Sequence, residues 1–236
     1  RPGIVHSIDF TGKTIPDLGS GQTALAYGNN KFIIVDQFYY TCIDAVAPYN
    51  KTEDILNISD PIDVAFGNNY FAVVSSSSSD AITFIDSASC NSVETKFLPP
   101  GAYAVAYGGG FFCVGILGMF SSAEAYVIDT NTPSPFPQTT TSIGASRRDL
   151  GVPKDIVYVN GHFAIAFQAS SGPDGISFVD PLVSPKRAAQ MHFEEVTSLR
   201  PTTLAAINNR LLVLGESTNF ASVYDVSTLP PAPPAT

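Results

Sequence analysis

Two carboxylates recur in register along this sequence and could serve as an acid–base pair. Asp63 opens "DVAFGNNYFAVV" and Asp155 opens "DIVYVNGHFAIA", so both start an apolar strand at the same place in a repeated phrase. Glycoside hydrolysis needs a pair of acids on one cleft, one to protonate the leaving oxygen and one to attack or to activate water. Three further copies of the phrase carry Ala24, Ala104 and Thr203 at that place, and the rest of a hydrolytic site is missing. The plainer reading makes Asp63 and Asp155 polar residues at a channel mouth, with a bound cation there as a third option.

The other reactive types are scattered. His6, His162 and His192 fall in no metal-ligand spacing. No G-x-S-x-G or H-E-x-x-H occurs, and the glycines of "YGGGFF" read as a turn rather than a phosphate cradle. The expectation is a chain without catalytic residues, metal or cofactor, and not an enzyme. Of three cysteines, Cys113 lies inside an apolar strand and reads as a buried thiol. Cys42 and Cys90 could pair, since an odd count leaves one over.

Modification chemistry is better represented. "NKT" at Asn50 and "NIS" at Asn57 are N-glycosylation acceptors in one inter-strand region. The tract "TNTPSPFPQTTTS" would suit O-glycans at Thr132, Ser134, Thr139, Thr140 and Thr141. With few lysines, these point to a secreted, extracellular or cell-surface glycoprotein. A chain opening on Arg1 reads as a processed product or a fragment.

The elements that must position these residues form a repeat. Five hairpins recur, "ALAYGNNKFIIV", "DVAFGNNYFAVV", "AVAYGGGFFCVG", "DIVYVNGHFAIA" and "TLAAINNRLLVL", beginning near residues 21, 61, 102, 153 and 201. Their anchors Phe32, Phe71, Phe112, Phe163 and Leu211 are spaced 39, 41, 51 and 48 residues apart. Asn-Asn, Gly-Gly and Asn-Gly pairs tolerate the positive φ of tight hairpin turns. A third strand follows each hairpin and ends in Asp44, Asp86, Asp129, Asp180 or Asp225, read as turns closing on the backbone. Weaker fourth strands follow the first four: "TEDILNI", "VETKFL", "QTTTSIG" and "AAQMHFEE". Four-stranded units at such periods predict an all-β propeller over residues 1–228.

The ends carry an irregularity. "IVHSID" and "GKTIPDL", within residues 1–20, read as third and fourth strands, whereas the last unit has no fourth strand. Mixing both termini would close five blades; six or more blades, or closure by a partner, is the alternative. "LPPAPPAT" at 229–236 favours polyproline II and reads as a stiff tail or linker.

"AITFIDSASCNSVETKFLPPGAYAVAYGGGFFCVGI", with "DGISFVD" and "EAYVIDTNTP", resembles the YVTN/LVIVD type of propeller repeat. The resemblance implies a propeller, often secreted or on cell surfaces, and transfers no catalytic residue.

A net charge of −9 and a pI near 4.6 argue against nucleic acid. The apolar run "FFCVGILGMF" is about half the length of a membrane span. The function expected is therefore an extracellular structural or interaction glycoprotein, a rigid scaffold for protein contact or homotypic assembly into filaments or a surface layer. A lectin-like propeller is the alternative, although Tyr27, Tyr107 and Tyr158 share one core-like position rather than an open platform. A glycoside hydrolase comes third.

Overall fold

The computed structural model describes residues 24–229, apart from 47, 57, 77–79, 118–122, 134, 143–150, 169–173, 183–187, 192–199 and 217–220. Among the described residues nineteen strands make five antiparallel meanders. The first holds β1 (Ala24–Gly28), β2 (Lys31–Val35), β3 (Tyr39–Asp44) and β4 (Lys51–Ile55). The second holds β5 (Pro61–Gly67), β6 (Tyr70–Ser75), β7 (Ala81–Asp86) and β8 (Ser92–Phe97). Next come β9 (Ala102–Gly108), β10 (Phe111–Leu117), β11 (Ala123–Asp129) and β12 (Gln138–Ser142). The fourth comprises β13 (Val152–Val159), β14 (His162–Gln168), β15 (Gly175–Val179) and β16 (Ala188–Met191). The fifth has three strands among the described residues, β17 (Pro201–Ile207), β18 (Arg210–Gly215) and β19 (Ala221–Asp225).

Local chemistry explains the hairpins. Asn29 and Asn30, Asn68 and Asn69, and Gly109 and Gly110 take positive φ between the first two strands of their sheets, as Asn160 and Gly161 do in the fourth. Asparagine and glycine tolerate that backbone region best. Asp86, Asp129, Asp180 and Asp225 accept backbone N–H bonds from residues two ahead (Ala88, Asn131, Leu182 and Ser227), which stops the third strand. Asp44 accepts from the Lys31 ammonium at 2.6 Å and from Asn50 Nδ2 at 3.0 Å.

The innermost strands pack in chain order, β1 on β5, β5 on β9, β9 on β13 and β13 on β17. Four apolar clusters fill the four spaces between neighbouring sheets, one built around Phe71, the next around Phe84 and Phe112, then Phe163, then Phe178 with Leu211. The core therefore lies between sheets, as face-to-face blade packing requires. Closure through residues 1–20, and the tail at 230–236, lie outside the described residues.

Candidate functional site

Asp63 and Asp155 are brought into equivalent places, and each is tied into two sheets by backbone hydrogen bonds. A bulge between Pro61 and Asp63, repeated between Pro153 and Asp155, re-aims the strand just before each acid. Asp63 accepts from its own strand at Val64 N (2.8 Å) and from the next sheet at Val105 N (2.8 Å). Asp155 does the same with Ile156 N (2.8 Å) and Leu204 N (2.6 Å). Each carboxylate thus clasps one blade to the next. Burial pushes the Asp63 carboxyl up to about 6, against the Val105 and Val64 amides that pull it down, and the charge of Asp155 adds to the rise. Burial likewise raises Asp155, opposed by the amides of Leu204 and Ile156. Both acids are half-buried in these clasps, and each oxygen already holds a backbone donor.

A second device joins the same strands. Gly28, Gly67 and Gly108 end β1, β5 and β9, and a methyl group added at each would overlap the ring of Phe66, Tyr107 or Tyr158 on the next sheet. Each ring also packs on a phenylalanine of its own hairpin: Phe66 on Phe71 at 4.9 Å, Tyr107 on Phe112 at 4.9 Å, Tyr158 on Phe163 at 5.1 Å. At the fourth step both partners change together. Val159 stands at the glycine position, buried with Leu204 and Leu211, and Ala206 replaces the aromatic. Ala206 is exposed, so the fourth step packs Val159 with Leu204 and Leu211 instead of placing a ring over a glycine.

The turn asparagines form a third link. Asn29 Nδ2 donates to Ser87 Oγ (3.0 Å), Asn68 Nδ2 to the Thr130 carbonyl (2.5 Å) and Asn160 Nδ2 to the Val226 carbonyl (2.8 Å), each on the following sheet. The third sheet has Gly109 at that place, and the Tyr158 hydroxyl lies over it instead. Sequence reading took these residues only for their backbone freedom and missed both the hooks and the glycine sockets. The recurring triplet "YGN", "FGN", "YGG", "YVN" was the available signal.

Cys42 and Cys90 are joined by a disulfide that ties the first sheet to the turn after β7. Tyr40, buried beside it, donates to the Cys90 carbonyl at 2.8 Å. Its burial, with the Asp54 charge, pushes the phenol up to about 12. Cys113 is a buried free thiol, raised by desolvation alone.

Asn50 and Thr132 are exposed, and Asn50 Nδ2 donates to Asp44 at 3.0 Å. Asn57 and Ser134 lie outside the described residues; Thr139, Thr140 and Thr141 are on β12. His162 contacts the Asn160 carbonyl at 3.0 Å, whereas His6 and His192 are outside the described residues.

What the interior sheets share, the end sheets leave open. On the first sheet Leu25 is 59% and Tyr27 55% exposed, yet Leu25's counterparts Val64, Val105, Ile156 and Leu204 do not exceed 7%. On the far side of the fifth sheet Ile207 is 72% and Val223 61% exposed, whereas Val223's counterparts Cys42, Phe84, Val127 and Phe178 do not exceed 2%. These two apolar faces are the candidate interaction surface. Among the described residues no helix is long and apolar enough to cross a membrane.

No family model matches the chain, and no curated protein does. Solved structures do. A functionally unknown protein from Desulfotomaculum acetoxidans aligns at TM-score 0.64 with 14% identity over 89% of this chain and 68% of that one. The Pan2 WD40 domain of Neurospora crassa aligns at 0.61 with 12% identity over 88% and 62%. Hsv2 of Kluyveromyces lactis aligns at 0.58 with 10% identity over 87% and 60%, so the chain spans about three fifths of the length of that structure. Stacked four-stranded meanders and these likenesses establish the fold as a β-propeller.

Proposed function

We propose that this chain is an extracellular interaction scaffold, a secreted glycoprotein propeller of the YVTN/LVIVD repeat type that acts by contact rather than by catalysis. The observation that carries the reading is the contrast between saturated interior contacts and two open apolar end faces. Asp63, Asp155 and three turn asparagines, the residues best suited to grip a ligand, are engaged in holding one sheet to the next. The side chains left free on the end sheets are apolar and large, the composition of a protein-binding surface.

Placement outside the cell is supported by the Cys42–Cys90 disulfide, a bond that persists in oxidising compartments, and by an exposed sequon at Asn50. Tyr107 and Tyr158 lie over glycines of neighbouring sheets, which occupies both rings in blade packing.

The test is electron microscopy and intact mass of the protein from its natural source, before and after deglycosylation. Assemblies or stable complexes, with a mass above 25.0 kDa per chain that falls on deglycosylation, are expected. Isolated discs at the bare peptide mass, with no partner, would refute both parts.

A further inference from the structure

Beside the Asn50 sequon the surface opens into a hollow of about 260 Å³, lined by Asn29, Asn30, Lys31, Asp44, Val46 and Pro48. It lies where the turn between β1 and β2 meets the connection between β3 and β4. Its volume falls just below the range of small-molecule sites, roughly 300–1,000 Å³, and suits one sugar ring rather than several.

The lining has two characters. Lys31 donates to Asp44 Oδ1 at 2.6 Å, and Asn50 Nδ2 donates to the other carboxylate oxygen at 3.0 Å. Those bonds, that of Lys31 foremost, hold the Asp44 carboxyl below its ordinary range, so the polar wall is an ionised acceptor beside an ammonium. The apolar wall is Val46, 62% exposed, with exposed Pro48 in the same connection. A pyranose is divided in the same way, with hydroxyl and acetamido groups on its rim and C–H groups on its faces. Backbone bonds hold the hollow's shape in advance. The Asp44 amide donates to the Asn50 carbonyl (3.0 Å), the Ala45 amide to the Asn30 carbonyl (2.8 Å) and the Tyr49 amide to the Val46 carbonyl (3.1 Å). Such preorganisation lowers the cost of filling a site.

The sequon supplies the occupant. Asn50 Nδ2, the atom that accepts an N-glycan, stands 3.0 Å from Asp44 in the wall of the hollow. Transfer from a lipid-linked diphosphate donor joins Nδ2 to the anomeric carbon of the first N-acetylglucosamine, breaks that carbon's bond to the diphosphate and releases one amide proton. The secondary amide keeps one N–H with which to bond Asp44. A tethered ring also escapes most of the translational loss that a free sugar would suffer, so a shallow hollow is enough to hold it.

We propose that this hollow seats the first N-acetylglucosamine of the chain's own Asn50 glycan. The ring covers Val46 and Pro48 and braces the turn that carries Lys31 against the connection that carries Asn50, which makes the sugar a packing element of the first blade. This inference rests on the glycoprotein reading and assigns that modification a binding site.

The test uses the full chain secreted from a glycosylating eukaryotic host, with Asn57→Gln leaving Asn50 as the remaining N-x-S/T acceptor. Three forms are compared: the intact glycan, the single-sugar stub left by an endoglycosidase that cuts between the first two sugars, and unglycosylated Thr52→Val, which keeps Asn50. Intact mass verifies each form. The stub should melt with the intact glycoform, and both roughly 2–4 °C above Thr52→Val, the shift that one modest packing contact gives in a chain of this length. The stub should also slow hydrogen exchange at the Ala45 and Tyr49 amides. Val46→Ser, introduced into both the stub and the Thr52→Val forms, should erase the difference without changing occupancy. A stub that melts with Thr52→Val overturns the proposal while leaving the glycoprotein reading intact, and so does a difference that Val46→Ser leaves unchanged. Asn50 at the bare peptide mass overturns both.

Discussion

Replacing Gly67 with valine and Tyr107 with alanine would copy, at the second blade step, the residue types at the corresponding positions of the fourth, Val159 and Ala206. Gly67→Val alone drives a branched side chain into the Tyr107 ring, because even one methyl at that Cα overlaps it. Overpacking at such a site costs roughly 1–3 kcal/mol, and the upper end applies because the ring also rests on Phe112 at 4.9 Å. Tyr107→Ala alone leaves the space above Gly67 empty and removes a half-buried ring, a loss of about 2–3 kcal/mol. Independent effects would sum to about 5 kcal/mol, whereas a valine filling the vacated space should bring the double variant back to about 2–3 kcal/mol. Urea unfolding followed by circular dichroism reads all four corners of the cycle, and unchanged slopes keep the midpoints comparable. Additivity within about 0.5 kcal/mol would show that socket and plug do not act as a unit.

Further outcomes follow from the clasps and the cysteines. The folded pKa of Asp63 lies above its ordinary 3.8, so its stabilising contribution is complete below that value and is lost as pH rises through about 6. Unfolding free energy should fall by roughly 1–2 kcal/mol from pH 4 to 7, after allowing for solvent at this half-buried group, and Asp63→Asn should flatten that slope in urea titrations. Asp86 and Asp225, lowered mainly by hydrogen bonds from Ser89 and Ser227, act in the opposite sense and below this window. Reducing the Cys42–Cys90 bond, which spans 48 residues, should lower stability by about 2–4 kcal/mol in thermal or chemical unfolding. Cys113 should react with a thiol reagent only after denaturation, because it is fully buried and its thiolate disfavoured; modification of the native protein would contradict that packing.

The hairpin repeat was open to inspection in the sequence for a physical reason. Alternation of apolar residues, Asn/Gly turns and strand-ending aspartates are local signals, fixed by backbone sterics and by hydrogen bonds over two or three residues. Strand order within each sheet followed from chain order alone, since consecutive antiparallel strands need only short turns. The expected fourth strands at "TEDILNI" and "VETKFL" appear as β4 and β8. The disulfide was only a possibility, because pairing Cys42 with Cys90 depends on a 6.3 Å approach between two sheets.

Local residue pattern was enough to define the blade: its four strands, its turns and its period. The roles of the polar residues emerge only from the way the sheets stack. Asp63 looked like a channel acid because its partner, Val105 N, lies 42 residues away on the next sheet. The glycines before the turns, Gly28 and Gly67, drew no reading of their own because the rings above them come from the following repeat. Contacts of that range depend on how whole sheets stack, and no local pattern of residue types encodes the distance between two stacked faces. The open faces carrying Leu25, Tyr27, Ile207 and Val223 follow the same rule, since a strand's apolar side is the same in sequence whether or not a neighbour covers it.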